Sequence, residues 1–286
     1  MSAPDMDNFS VERRRLPGPV DLLLVRHGQS IGNVAVGALA AGEDSGIEVL
    51  TEIPQEGWQL TARGREQAIG VGEFINAVFP SGLEFFYSSH FVRACETAAF
   101  MNLANSAWRV EAGVGERQIG DRFAGGGDVA ALREQVSAEY RQEQANVLGH
   151  RPPRGESRRD VRDRVANALN RISANHAGQS GVIVCHGEVM WATRALLERF
   201  DDQTWERTHA AAHRSADNAP MNSEMILNGH VFWMSHRHPE TGQIHAGQRW
   251  LRRVCPEHPT TDTGWYEIPV RDIASRAPET PTALDR

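Results

Sequence analysis

The chain has 286 residues, 40% of them hydrophobic and 23% charged, which is enough apolar material for a core of one large domain. A formal net charge of −7 argues against nucleic acid or an anionic membrane as the main partner. Three cysteines, Cys95, Cys185 and Cys255, form neither a disulfide framework nor a short metal-type spacing.

The elements follow in chain order. Residues 1–17 read as a flexible arm, polar at Asp5, Asp7 and Glu12 and basic at Arg13-Arg14-Arg15. No apolar core of a secretion signal follows, and stretches such as Leu22 to Val25 are too short to span a bilayer, so a cytoplasmic protein is expected. Val20 to Val25 is a continuous apolar run that suits a strand buried on both faces. Residues 29–60 are rich in Gly, Glu and Asp and read as a loop. Thr61 then caps a helix whose apolar positions Ala68, Val71, Phe74, Ile75 and Val78 recur at helical spacing.

Leu83 to Tyr87 reads as a second strand, followed by a helix to about Leu103, and Trp108 to Ala112 as a third. A helix over Ala130–Val147 forms an insertion after that strand. Ser157-Arg158-Arg159-Asp160 resembles a capping box ahead of the apolar face Val161, Val165, Ala168, Leu169 and Ile172. Gly181 to Cys185 is another buried strand, with a helix from about Glu188 to Phe200. Ser223 to Leu227 reads as a further strand, and residues 228–270 as a hairpin around Trp250 and Trp265. Strands alternating with helices imply an α/β fold, a three-layer sandwich with a mostly parallel central sheet. The expected organisation is a flexible arm (1–17), one α/β domain (18–270) and a disordered tail (271–286).

In an open sheet, ligands sit outside the carboxyl ends of the strands. Four strand ends deliver Arg26-His27-Gly28, Arg93, Glu116 and His186-Gly187 to one edge. Arginine offers a planar fork suited to phosphate oxygens. Helix N-termini and glycine turns favour anions. A neutral imidazole can attack phosphorus, and a carboxylic acid can protonate the leaving oxygen.

The sequence resembles the histidine phosphatase superfamily, in its phosphoglycerate mutase-like branch. The resemblance rests on six elements in order: Arg26-His27-Gly28-Gln29-Ser30-Ile31-Gly32-Asn33; Leu60-Thr61-Ala62-Arg63-Gly64-Arg65-Glu66-Gln67-Ala68; Ser88-Ser89-His90-Phe91-Val92-Arg93-Ala94-Cys95-Glu96-Thr97; Gly115-Glu116-Arg117; Gly155-Glu156-Ser157; and Cys185-His186-Gly187-Glu188. It implies that His27 becomes a phosphohistidine, and that Arg26, Arg93 and His186 hold the phosphoryl oxygens. Glu116 would be the proton donor, with Glu43, Glu48, Glu56 or Asp121 as alternatives. Ser30, Asn33 and Gly187 would line the phosphate pocket, and neither metal nor cofactor is needed.

Three departures stand out: His90 where an acidic residue is usual, Glu188 directly after His186-Gly187, and no Tyr with a Lys-containing segment after Arg117. A carboxylate at 188 would either repel a phosphate-rich substrate or contact a hydroxyl or amine of the leaving group. The implied activity is hydrolysis of a small phosphorylated metabolite. A mutase-type transferase or a catalytically weak binding protein on the same fold are the alternatives. Arg117, Arg122, Arg151 and Arg154 read either as a second anion site or as surface charge, and Trp58 and Phe123 as flanks for a sugar or nucleoside. Cys185 should point into the core, and His209 and His213, one helical turn apart, read as packing or solvated residues. The oligomeric state stays open, a dimer among the options.

Overall fold

In the computed structural model, residues 16–124, 129–213 and 224–269 are described. A seven-stranded sheet runs in the order β3-β2-β4-β1-β5-β6-β7. β1 (Asp21–Arg26), β2 (Phe85–Ser88), β3 (Trp108–Val110) and β4 (Ser180–Cys185) are parallel. β5 (Val231–Ser235), β6 (Arg249–Val254) and β7 (Trp265–Ile268) add an antiparallel edge.

Alternation along the strands makes the three layers. Leu22, Leu24, Ile183 and Cys185 face one core with Val161, Val165 and Leu169 of α6 (Arg158–Asn175) and Val189 and Met190 of α7 (Gly187–Leu197). Leu23, Val25, Val182 and Val184 face the other, with Val71 and Ile75 of α3 (Ala62–Val78) and Ala94 and Ala98 of α4 (Val92–Phe100). Cys185 is thus a core residue, as its place on the strand implies. At the sheet end away from His27, the buried Asp21 carboxylate accepts from Ser180 Oγ (2.9 Å), Ser235 Oγ (2.7 Å), Trp233 Nε1 (3.1 Å) and Arg237 Nε (3.0 Å). These bonds tie β4, β1 and β5 together and offset the cost of a buried charge.

The stretch 29–60 is not one loop. It holds α1 (Ile31–Ala40) and α2 (Ile47–Glu52). Ser30 caps α1: its Oγ accepts from the Asn33 N–H while the Asn33 side chain accepts from the Ser30 N–H. Trp58 is buried against α1 and α2, and its Nε1 donates to Val49 O and Ile53 O. Phe123 joins the same cluster with Leu132 of α5 (Val129–Ala145), the insertion after β3. Both aromatics therefore belong to a small core.

Three further differences follow. Residues 224–227 form no strand; β5 begins at Val231, after the turn at Gly229 with φ 73°. An additional helix, α8 (Asp202–His213), follows α7. Leu16, placed in the arm by sequence, is buried with Val20 and Ile244. Residues 1–15 and 270–286 lie outside the described residues.

One close approach fixes where β1 delivers its last residues. A Cβ on Gly28 would meet Gly64 O at 2.1 Å, so only glycine lets this turn sit on the start of α3. Gly28→Ala is expected to cost about 1–3 kcal/mol of stability by overpacking. A thermal melt unchanged from wild type would contradict it.

Candidate active site

His27, Glu116 and His186 converge, each offering a ligand-type atom within 4.8 Å of the others. Both histidines are buried, with ring centroids 5.0 Å apart. They come from the ends of the neighbouring strands β1 and β4; Arg93 comes from the first turn of α4.

Hydrogen bonding sets the His27 tautomer. Nδ1 lies 2.7 Å from Gly28 O, a carbonyl that can only accept, so Nδ1 carries the hydrogen. Nε2 is then the lone-pair nitrogen, and it accepts from Arg93 Nε at 3.1 Å. Burial, with Arg93 and Arg26 nearby, holds the imidazole pKa well below the usual 6.5. His27 is therefore neutral at neutral pH.

The surroundings are short of anions for their donors. Arg26 donates through Nη1 to Ile226 O, while its buried Nε has no partner among the described residues. His186 Nε2 lies 2.8 Å from Ser89 Oγ, and its buried Nδ1 is also without a partner. In the tautomer where Ser89 donates to Nε2, the Nδ1–H is a free donor. Gly187 opens α7 beside Arg26, where a Cβ would stand 3.6 Å from Arg26 Nε. Buried donors without partners call for an explanation, and an oxyanion is one. The His27, Glu116 and His186 donor set could also ligate a cation, but Arg26 and Arg93 alongside favour an anion.

Glu116 is the carboxylate at the site. Burial raises its pKa, Glu188 adds to that, and Arg93, the Arg117 N–H and Arg26 oppose it; the net shift is upward. Of the alternatives, Asp121 pairs with Arg154, Glu43 and Glu48 belong to the α1–α2 region, and Glu56 accepts from Gln118 while its charge acts on Arg93. Arg164 of α6 holds the Glu116 loop, donating to Gly113 O (3.0 Å), Gly115 O (2.8 Å) and Glu116 O (3.0 Å), with Glu156 as its counter-charge. Glu156 also accepts from the Gln118 N–H.

Ser30 gives its Oγ to the cap of α1, and Asn33 takes part in that cap through its N–H and Oδ1, which leaves the Asn33 Nδ2 outside it. Asn33 reaches the site indirectly: Asn228 Nδ2 donates to its Oδ1 (3.3 Å) and to His27 O (3.0 Å). Sequence reasoning did not single out Asn228, Arg164, Gln55, Ser89 or Thr97. Gln55 O accepts from Arg93 Nη1 at 2.7 Å, and Thr97 Oγ1 accepts the Gly28 N–H at 3.0 Å. Ser89 and Thr97 lay inside the third motif; Arg164 and Asn228 carried no sequence signal.

The departures also have places. His90 is exposed, its ring against Phe91. Glu188 is gripped by Arg158, whose Nε lies 3.0 and 3.1 Å from its two oxygens, with Arg117 Nε at 3.8 Å. Arg117, Arg122 and Arg158 also share Glu143. Arg151 pairs with Asp160 and Arg154 with Asp121. His209 is buried against Trp191, 4.0 Å from Glu188. A cavity of about 340 Å³ opens beside the site, lined by Arg26, Glu116, Gly187, Glu188, Trp191, Ala212, Met225 and Ile226.

The family model of the histidine phosphatase superfamily (branch 1) matches residues 22–216, and the chain belongs to that superfamily. It is 31% identical over 147 residues to phosphoglycerate mutase-like protein 4 of Arabidopsis thaliana, covering 49% of this chain and 60% of that protein. The chain thus matches less than two thirds of that curated relative's length. The fold is shared with a mycobacterial glucosyl-3-phosphoglycerate phosphatase solved with VO3, at TM-score 0.53 and 22% identity over 75% of this chain and 92% of that one. It is shared also with a phosphoserine phosphatase from Entamoeba histolytica solved with 3-phosphoglyceric acid, at TM-score 0.52 and 16% identity over 76% and 90%. No helix among the described residues is long and apolar enough to cross a membrane.

Proposed function

We propose that the chain is a phosphomonoesterase acting on a small phosphorylated metabolite through a phosphohistidine on His27. The observation that carries this is the unprotonated His27 Nε2 held by Arg93 beside Arg26 and His186, whose buried Nε and Nδ1 have no partner among the described residues. Nε2 attacks phosphorus, and the bond from phosphorus to the ester oxygen breaks. Glu116 gives its proton to the departing oxygen. Arg26, Arg93 and His186 hold the three non-bridging oxygens as charge shifts. Glu116, now a carboxylate, takes a proton from water as it attacks the phosphohistidine, releasing inorganic phosphate and restoring His27.

Hydrolysis is favoured over mutase-type transfer by the state of the nearby arginines. A mutase must hold a second anionic group, and Arg117, Arg122, Arg151 and Arg154 are each already paired with a carboxylate. We expect vanadate-sensitive release of phosphate from an aryl phosphate and no interconversion of phosphoglycerates. Efficient mutase turnover would overturn the assignment.

A further inference from the structure

The superfamily chemistry leaves Glu188 without a role. It stands at the first turn of α7, lining the same cavity as the proton donor Glu116. Apart from Arg26 and Gly187, the rest of that wall is apolar: Trp191, Ala212, Met225 and Ile226. Resting on the phosphatase reading above, we propose that Glu188 is a specificity-determining residue, selecting phosphomonoesters whose leaving alcohol has an apolar body and no second anionic group.

The geometry gives the reason. The Glu188 side chain is mostly buried, at 17% exposure, so a charge brought beside it meets little water screening. Its position is fixed, because Arg158 grips both carboxylate oxygens and is itself held by Glu143 and Val147 O. Arg158, Arg117 and His209 face Glu188 from α6, the loop after β3 and α8; none of the three lines the cavity, whereas the carboxylate does. Burial works against ionisation, but these neighbours outweigh it and keep Glu188 charged. Arg26, the only cation on the cavity wall among the described residues, gives Nη1 to Ile226 O and stands on the phosphoryl side next to Gly187. A carboxylate or second phosphate on the leaving group would therefore meet a fixed negative charge with no cation opposite it among the described residues. An apolar body would meet Trp191 and Met225 instead.

The same charge acts on the proton donor. Glu116 lines the same cavity as Glu188 and feels its charge, with Arg93, Arg26, His27 and His186 also close to it. A fixed negative neighbour favours its protonated form.

The test uses phenyl phosphate and 4-carboxyphenyl phosphate, which differ by one carboxylate and have similar leaving groups. Wild-type kcat/KM should favour phenyl phosphate at least tenfold. In Glu188→Gln the preference should shrink to about threefold or less, and the alkaline limb of the kcat profile should move to lower pH. Glu188→Asp, which keeps the charge, should retain the preference. Equal or faster wild-type turnover of the carboxylate ester overturns the proposal without needing any variant. So does a ratio unchanged in a Glu188→Gln protein that melts as the wild type does. Hydrolysis of neither ester would remove the phosphatase reading itself, and this inference with it.

Discussion

His27→Ala should lower kcat/KM for any phosphomonoester by on the order of 10⁵, the scale seen when a covalent nucleophile is lost and binding groups are left in place. Among the described residues, His186 is the imidazole that stands beside His27, and it leans on Ser89 Oγ; in the proposed mechanism it binds a phosphoryl oxygen and does not replace the nucleophile. Binding of vanadate should weaken far less than turnover, since Arg26, Arg93 and His186 stay. Rapid quench with labelled substrate should give an acid-labile phosphoryl adduct in wild type and none in His27→Ala. An adduct of equal size in the variant would place the nucleophile elsewhere. The acid limb of the wild-type profile should lie below the ordinary histidine range near 6.5. Burial, Arg93 and Arg26 disfavour the imidazolium, so the nucleophile loses its lone pair only as pH falls through that lowered pKa.

Glu116→Gln should separate substrates by leaving group. For an alkyl phosphate, whose alkoxide must be protonated to depart, the loss should be about 10³, within the usual range for a general acid. For p-nitrophenyl phosphate the loss should be near tenfold, because the phenolate leaves unprotonated. The pH dependence has a definite sign. Burial and Glu188 raise the Glu116 pKa, so the acid form is present below that raised value and is lost as pH rises through it. Wild-type kcat on the alkyl ester should fall on that alkaline limb, and the limb should vanish in Glu116→Gln. A uniform loss across both leaving groups would assign the proton to another residue.

The chemistry was legible where it depends on short chain segments. β1 and β4 are buried on both faces and so read as unbroken apolar runs, and the residue after each run had to emerge at the sheet edge. Arg26, His27, His186 and Gly187 could be placed together on that ground alone. Arg93 and Glu116 followed from the same rule. The misreadings have a common cause. α1 contains Gly32 and Gly37 and no charged residue, so its sequence shows little helical preference. It stands because Ser30 and Asn33 cap it and because Trp58 packs on Gly32, a contact across more than twenty residues. Of the strand expected at 223–227, the described residues 224–227 are not in a strand, because Gly229 turns the chain before Val231 pairs with Val25. Arg117 and Arg122 read as a second anion site or as surface charge because Glu143, their shared partner, sits on a separate helix. Pairings over such distances leave no periodicity to read.

The strand order has a consequence for the making of the protein. β4 lies between β2 and β1, and the pair Asp21 and Ser180 that aligns it with β1 is separated by 159 residues. A chain still emerging from the ribosome can form β1, β2 and the helices between them, yet has no partner to join the two strands. Only when the segment through α7 is free can β4 slot in and bring His186 to His27. The candidate site is therefore assembled late in synthesis, and a fragment ending before residue 180 would hold His27 without His186, so on the proposed mechanism it should show no turnover. Such late, long-range closure also makes folding slow relative to a helical protein of equal size.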